Sequence, residues 1–292
     1  MKKNRIDSRA IGLEVGNEIA KWLTGAENLH YGLWDGLEVN AGNLGRAQIA
    51  YTEKLFGYLP EGPLSILDIG GGAGETARKL LALGHKVQIV VPSAYLADRC
   101  RANAPGAQVH LSTFEDFQTT DTFDLCLFSE SFQYIDLATA LTKSLALTRP
   151  GGHVLIADCF RSETMVIDGD IRPAGGGHDY AAFEAALADL PVERLASEDI
   201  TASVAPSIDL EQSFFHVFGN ALGRVDAELS AKRPRIRGSL RFVLRTLLGK
   251  RKLFRLNARL RDTHRTAEAF IRDNRYVITL LKKTGWDRAT PG

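Results

Sequence analysis

The chain has 292 residues, 45% of them hydrophobic and 24% charged, which is enough for one or two domains whose core needs neither disulfides nor metal. Thirty-six Lys and Arg against thirty-five Asp and Glu exclude a uniformly polybasic nucleic-acid binder and an acidic disordered tail. Three widely spaced cysteines, Cys100, Cys126 and Cys159, with no CxxC pair, exclude a disulfide framework and read as small buried hydrophobes in a reducing compartment.

The first twenty residues have a basic head but no long apolar run, and no stretch approaches eighteen apolar residues. A signal peptide and a membrane-spanning helix are therefore not expected, and a cytoplasmic location is. Residues 1–60 read as a helical cap. In it, Ala47 to Leu59 (AQIAYTEKLFGYL) places Ile49, Leu55, Phe56 and Leu59 on a loose helical stripe, until Pro60, Gly62 and Pro63 break the chain. Asn28 to Gly42 (NLHYGLWDGLEVNAG) is rich in Gly and aromatics without a period and reads as an ordered loop.

From residue 61 the pattern alternates. Strands are expected at 64–69 (LSILDI), 86–91 (KVQIVV), 107–111, 123–128 and 153–159 (HVLIADC), with helices at 75–83, 95–102 and 136–147 and a turn at RPGG, 149–152. Such alternation predicts an α/β, Rossmann-like, doubly wound sheet of seven mostly parallel strands, with helices on both faces and a helical cap or lid. Beyond Phe160 the pattern loosens. Gly175 to Gly177 read as a flexible link, 179–188 as a helix, 195–200 as a strand and 276–282 (YVITLLK) as a β-branched final strand.

The neutral total hides an asymmetry. Residues 224–275 hold sixteen Lys and Arg against five Asp and Glu. Within them SLRFVLRTLL (239–248) puts Leu240, Val243, Leu244, Leu247 and Leu248 on one stripe flanked by Arg241 and Arg245. The expectation is a basic helical insertion at about 205–272, ahead of the final strand. Its candidate roles are a lid over an apolar pocket, a peripheral contact with an anionic membrane, or a homo-oligomer contact. No RNA-binding module or aromatic platform accompanies the charge, so nucleic acid is disfavoured. Phe214 to Gly223 (FFHVFGNALG) is apolar enough to wall a pocket for a lipophilic small molecule.

The most informative stretch is Ile66 to Leu80, ILDIGGGAGETARKL. A strand ends, glycines turn the chain, and a helix begins. Glycines let a ligand approach the backbone, and the free amides at a helix start favour anionic groups. Gly72, Gly74 and Ala77 fit the dinucleotide pattern GxGxxA, but the second strand ends in VVPSA with no acid for a ribose. No GK[ST] follows, so a P-loop is excluded.

Asp68, Gly70, Gly72 and Gly74 complete the D-x-G-x-G-x-G pattern. Together with TFDLCLFSESFQYID and LTRPGGHVLIAD, they make the segment from Leu64 to Asp158 resemble the class I S-adenosylmethionine-dependent methyltransferases. By that resemblance Gly70, Gly71, Gly72 and Gly74 lie against the methionine part of S-adenosyl-L-methionine. Asp68 orders the loop near the amino group, and S-adenosyl-L-homocysteine is the product. The ribose acid usual in the family is missing at Val91, which leaves Ser93 or a backbone group for the ribose, or Ser93 as a helix cap. Thr113, Phe114 and Glu115 fall where adenine is held; Phe114 is otherwise core. Glu27 to Asp35 (ENLHYGLWD) resembles an HYG-W type segment found before the core in enzymes of small and lipid-like molecules. That match implies a Tyr31 hydroxyl donated to the cofactor carboxylate. Ser129, Glu130, Gln133 and Tyr134 end the fourth strand, where the substrate would sit. The resemblance assigns Ser129 to the cofactor, and Glu130, Gln133 and Tyr134 to catalysis. Gln133 stands where relatives often have His and can orient but not deprotonate; Glu130 is a base if burial raises its pKa. No metal site is expected. The implied activity is methyl transfer to a lipophilic small molecule, oxygen favoured over carbon or nitrogen. The alternative is a cofactor-binding scaffold without turnover.

Overall fold

The structure, a computed structural model, describes residues 8–165, 173–261 and 264–285. Two helices, α1 (Ser8–Thr24) and α2 (Leu44–Phe56), precede the sheet, with one 3-10 turn at Ala41–Asn43 between them. Five strands then run β1 (Ser65–Ile69), β2 (Lys86–Val91), β3 (Gln108–Leu111), β4 (Phe123–Ser129) and β5 (Thr148–Arg161). Between them lie α3 (Glu75–Ala82), α4 (Ala94–Asn103) and α5 (Leu137–Leu147), with α6 (Tyr180–Ala188) following β5. After β6 (Val192–Asp199) come α7 (Thr201–Val204), α8 (Pro206–Lys232), α9 (Pro234–Arg261) and α10 (Ala267–Asp273), and β7 (Asn274–Lys283) closes the sheet.

The strand order is β3-β2-β1-β4-β5-β7-β6. β1 to β5 pair in parallel, and β7 runs antiparallel to both β5 and β6. The expected doubly wound, mostly parallel seven-stranded sheet is the one observed. The central strands are apolar on both faces because helices cover both. Ile66, Ile89, Leu125, Leu127 and Leu155 face one buried cluster; Leu67, Ile69, Val90, Cys126, Phe128 and Ile156 face the other. Local chemistry sets several helix starts. Side chains of Ser93, Asp136, Asp179 and Thr266 accept from backbone amides three residues on.

Three details depart from the sequence reading. The expected RPGG turn lies inside the first part of β5, where the pairing with β4 shifts between Phe123 and Leu125 and Gly151 has φ +74°; the turn is absorbed as a bulge. Gly175 to Gly177 are not a loose link. Asn274 accepts from the Gly176 amide at 3.1 Å and donates to the Ala174 carbonyl at 3.0 Å. A Cβ on Gly177 would lie 2.2 Å from the Cys159 carbonyl oxygen, so this run is glycine because the backbones touch. The apolar stripe of α9 does not pack as a lid: Leu240, Val243, Leu244, Leu247 and Leu248 are all exposed, and α9 buries no residue. In α8, Val217, Phe218 and Leu222 are likewise exposed rather than walling a pocket.

Candidate active site

Strand order reverses between β1 and β4, so their carboxyl ends open the crevice where doubly wound sheets bind ligands. Ile69 pairs with Phe128 there, which brings the glycine turn beside Ser129 and Glu130.

Close approach dictates the glycines. A Cβ on Gly70 (φ +75°) would lie 2.4 Å from the Ser131 Cβ, and one on Gly74 (φ +89°) 2.9 Å from the Cys100 Cα. A Cβ on Gly71 would lie 2.5 Å from the Asp68 Oδ2. Gly72 (φ +54°) differs: the nearest atom is Leu29 Cδ1 at 3.7 Å, so its surface faces a gap toward the N-terminal segment. The turn is held by backbone bonds, Gly70 N to Val90 O at 2.8 Å and Gly74 N to Gly71 O at 2.9 Å. Asn103 adds a bond to the Ala73 carbonyl at 2.9 Å.

Asp68 does not order this turn by hydrogen bonds. It is 1% exposed, and its Oδ2 has no partner. Burial without a compensating charge pushes its pKa up to about 7. A buried carboxylate in that state suits a cationic group, and Gly72 close by leaves a gap toward the N-terminal segment. Both features fit an amino-acid ammonium lying on the glycines.

Glu130 is the one non-glycine residue with positive φ, +57°, among the described residues. Its Oε1 accepts from the Tyr31 amide at 2.7 Å and from the Tyr276 hydroxyl at 2.9 Å. Tyr276 in turn meets the Tyr51 hydroxyl at 2.7 Å, and Tyr51 meets Ser129 Oγ at 3.2 Å. Burial and the nearby Asp158 push Glu130 up to about 8 against the two donors. Gln133 is anchored, donating Nε2 to Asp158 Oδ1 at 2.9 Å and its amide to Oδ2 at 3.1 Å.

Other candidates fall elsewhere. Tyr134 is 68% exposed and stands outside the enclosed group. Tyr31 engages Glu130 through its backbone, while its ring packs against Phe270 and Tyr276. Phe114, 3% exposed, packs edge-on to Phe128 with Lys143 over its ring; it is core, so adenine stacking on that ring is not what this arrangement offers. Ser93 caps α4, accepting from Leu96. Thr113 donates to Asp116 at 2.9 Å and is exposed, as is Glu115. His178 donates Nε2 to the Ile135 carbonyl at 2.8 Å, a structural tie. All three cysteines are buried thiols whose pKa burial raises, so they are inert.

Sequence reasoning missed Tyr51, Asp158 and Tyr276. Tyr276 lies 146 residues from Glu130 in the chain, and no local pattern links them. It also missed Glu27, which ties the N-terminal segment to α4: Arg99 Nε donates to Glu27 Oε2 at 2.7 Å and Asn17 donates at 3.0 Å. The guanidinium lowers the Glu27 pKa to about 2.

Residues 67–156 match the methyltransferase domain family. The matched segment runs from β1 into β5 and contains both the glycine turn and Glu130. An uncharacterized methyltransferase of Mycobacterium tuberculosis (strain H37Rv) is 29% identical over 108 residues, 37% of this chain and 44% of that protein. The chain thus spans less than half the length of the curated relatives it matches. Among solved structures, the [4+2]-cyclase SpnF is similar with a TM-score of 0.64 at 15% identity over 94% of this chain and 95% of that one. A geranyl diphosphate C-methyltransferase from Streptomyces coelicolor A3(2), in complex with S-adenosyl-L-homocysteine, gives 0.62 at 15% identity over 92% of each chain. At these identities the likeness is one of fold, and one fold serves different chemistries.

Proposed function

We propose that the protein is an S-adenosylmethionine-dependent methyltransferase acting on a small molecule. The observation that carries this is the turn Gly70–Gly74 beside an unpartnered, buried Asp68, at the crevice between β1 and β4. Gly70, Gly71, Gly72 and Gly74 would take the amino-acid portion and Asp68 its ammonium. Backbone groups of the 111–117 turn, rather than the buried Phe114 ring, would meet adenine, with Thr113 and Glu115 at its rim. The second strand ends without an acid, so Ser93 or a neighbouring amide would serve the ribose.

The cofactor brings a methyl already activated on a sulfonium. What the chain must do is hold the acceptor in line and manage its proton. Tyr31 and Tyr276 occupy Oε1 of Glu130 and fix the carboxylate, which leaves Oε2 for an acceptor proton. A base with a pKa raised toward neutrality suits an alcohol or phenol, so oxygen is the favoured acceptor. Gln133, held by Asp158, would orient the substrate. Ser129 would stand between the two ligands.

The test is twofold. The purified protein should carry S-adenosyl-L-homocysteine, detected by mass spectrometry, or bind it on titration. Labelled methyl should pass to a component of a lipid-soluble metabolite extract. Binding without transfer to any extract would favour a scaffold; absence of binding would end the reading.

For the basic region the reading is a peripheral contact with an anionic bilayer on the cytoplasmic side. Phe242 is 72% and Leu247 76% exposed on α9, beside Arg245, Lys250 and Lys252. Apolar side chains interleaved with cations complement an anionic lipid surface. None of the described helices is long and apolar enough to cross a membrane.

A further inference from the structure

We propose that Arg259 and Arg265 bind an acidic group of the substrate. Two guanidinium groups of the insertion share one carboxylate. Arg259 Nη2 donates to Glu211 Oε1, and Arg265 Nη2 lies 3.5 Å from Glu211 Oε2. Among the described residues no other carboxylate pairs with either. Among the described residues the cluster thus sets two guanidinium groups against one carboxylate. Two of its donors, Arg259 Nη1 and Arg265 Nε, are buried without a partner. Buried guanidinium donors are costly to leave unpaired, and a planar fork suits a carboxylate or phosphate.

The cluster is also built to stay in place. The Arg259 guanidinium lies over the Phe215 ring, 4.2 Å from its centroid, which occupies its face and leaves its edge donors for an anion. Arg265 donates Nη1 to the Pro173 carbonyl at 2.8 Å. Burial lowers the Arg259 pKa and Glu211 opposes the fall. The Tyr31 hydroxyl lies within the electrostatic reach of Glu211, Arg259 and Arg265, while the Tyr31 amide is bonded to Glu130. One residue thus bridges the proposed base and the arginine pair. This narrows the substrate class from lipophilic to amphiphilic and acidic. It rests on the methyltransferase reading for which atom reacts, but not for the existence of the anion site.

The experiment uses the full chain with S-adenosyl-L-homocysteine present, in chloride-free buffer at constant ionic strength. Melting temperature is followed on titration with acetate and with inorganic phosphate. Saturable stabilisation is expected; stronger binding of acetate assigns a carboxylate head, and stronger binding of phosphate a phosphorylated one. Arg259→Gln and Arg265→Gln should each weaken the anion at least tenfold. Glu211→Gln should tighten it, because the competing carboxylate is gone; a purely structural ion pair would only lose stability in that variant. The idea is overturned if neither anion stabilises the unaltered protein or Glu211→Gln, or if both arginine variants bind anions unchanged. Homocysteine-product binding is read in the same samples. Its survival without an anion effect rejects this site alone, whereas its absence rejects the methyltransferase reading.

Discussion

At φ +57° Glu130 occupies a backbone region that a Cβ makes unfavourable, at a cost of order 1 kcal/mol or more. That strain persists because the Tyr31 amide and the Tyr276 hydroxyl both require Oε1 where it is. Glu130→Gln keeps the shape and removes the base, so turnover should fall by roughly 10²-fold or more while S-adenosyl-L-homocysteine still binds; parallel kinetics and calorimetry would check both halves. With the carboxyl raised to about 8, the basic form accumulates as pH rises. The rate per unit of substrate should climb through about pH 8 and then level, and a flat profile from pH 6 to 9 would remove Glu130 as the base. Gly72 makes the matching prediction for the cofactor. Its positive φ and open surface mean that Gly72→Val should abolish binding of the homocysteine product on titration. Asp68, the glycines and Glu130 were legible in the chain because they sit at strand ends within short contiguous motifs. Phe114 carries two readings in the chain, adenine contact or core, because spacing does not tell a side chain facing the core from one facing a ligand.

The N-terminal segment lies beside the glycine turn and Glu130. It is tied at three points: Glu27 to Arg99 and Lys21, Tyr31 to Glu130, and Gly32 and Trp34 to Ser207 on α8. Trp34 Nε1 donates to Ser207 Oγ at 2.8 Å and the Gly32 amide donates at 3.1 Å. Ser207→Ala leaves two buried donors without an acceptor, a loss of about 1–3 kcal/mol for each donor left unsatisfied. Thermal melts should show the destabilisation, and cofactor affinity should drop with it. On α9 the physics is different, because its apolar stripe is exposed. Phe242→Asp with Arg245→Glu should weaken binding to vesicles of phosphatidylcholine with 30% phosphatidylglycerol by at least about tenfold at low salt. Sedimentation of the unaltered protein as a dimer that these changes dissociate would instead assign the face to a second copy.

At the scale of the molecule, Asp68 and Asp158 are buried and Glu130 half-buried in or next to the crevice, and among the described residues no cation pairs with any of the three. Burial raises the two aspartates to about 7 and Glu130 to about 8 from ordinary values of 3.8 and 4.5. The folded state therefore binds protons that the unfolded chain has released. The stability these groups contribute is complete below about pH 4 and is lost as pH rises toward 7 to 8. Melting temperature of the free protein should fall between pH 5 and 8 by more than about 3 °C, a chain of this size losing roughly 2–4 °C per kcal/mol. Saturating S-adenosyl-L-homocysteine should flatten that fall, since an ammonium beside Asp68 favours its charged form. How far such behaviour can be read from residues alone follows from range. Alternating apolar runs and helices, the turn chemistry and the D-x-G-x-G-x-G motif act over a few positions, so the sheet, its winding and the cofactor crevice could be inferred from order along the chain. The antiparallel partner of β5, the tyrosines that hold Glu130 and the pair Arg259 and Arg265 come from segments far along the chain, Tyr31 lying 99 and Tyr276 146 residues from Glu130. Their meeting depends on how β7 and the insertion pack onto the sheet, a balance of burial and shape that no local pattern encodes.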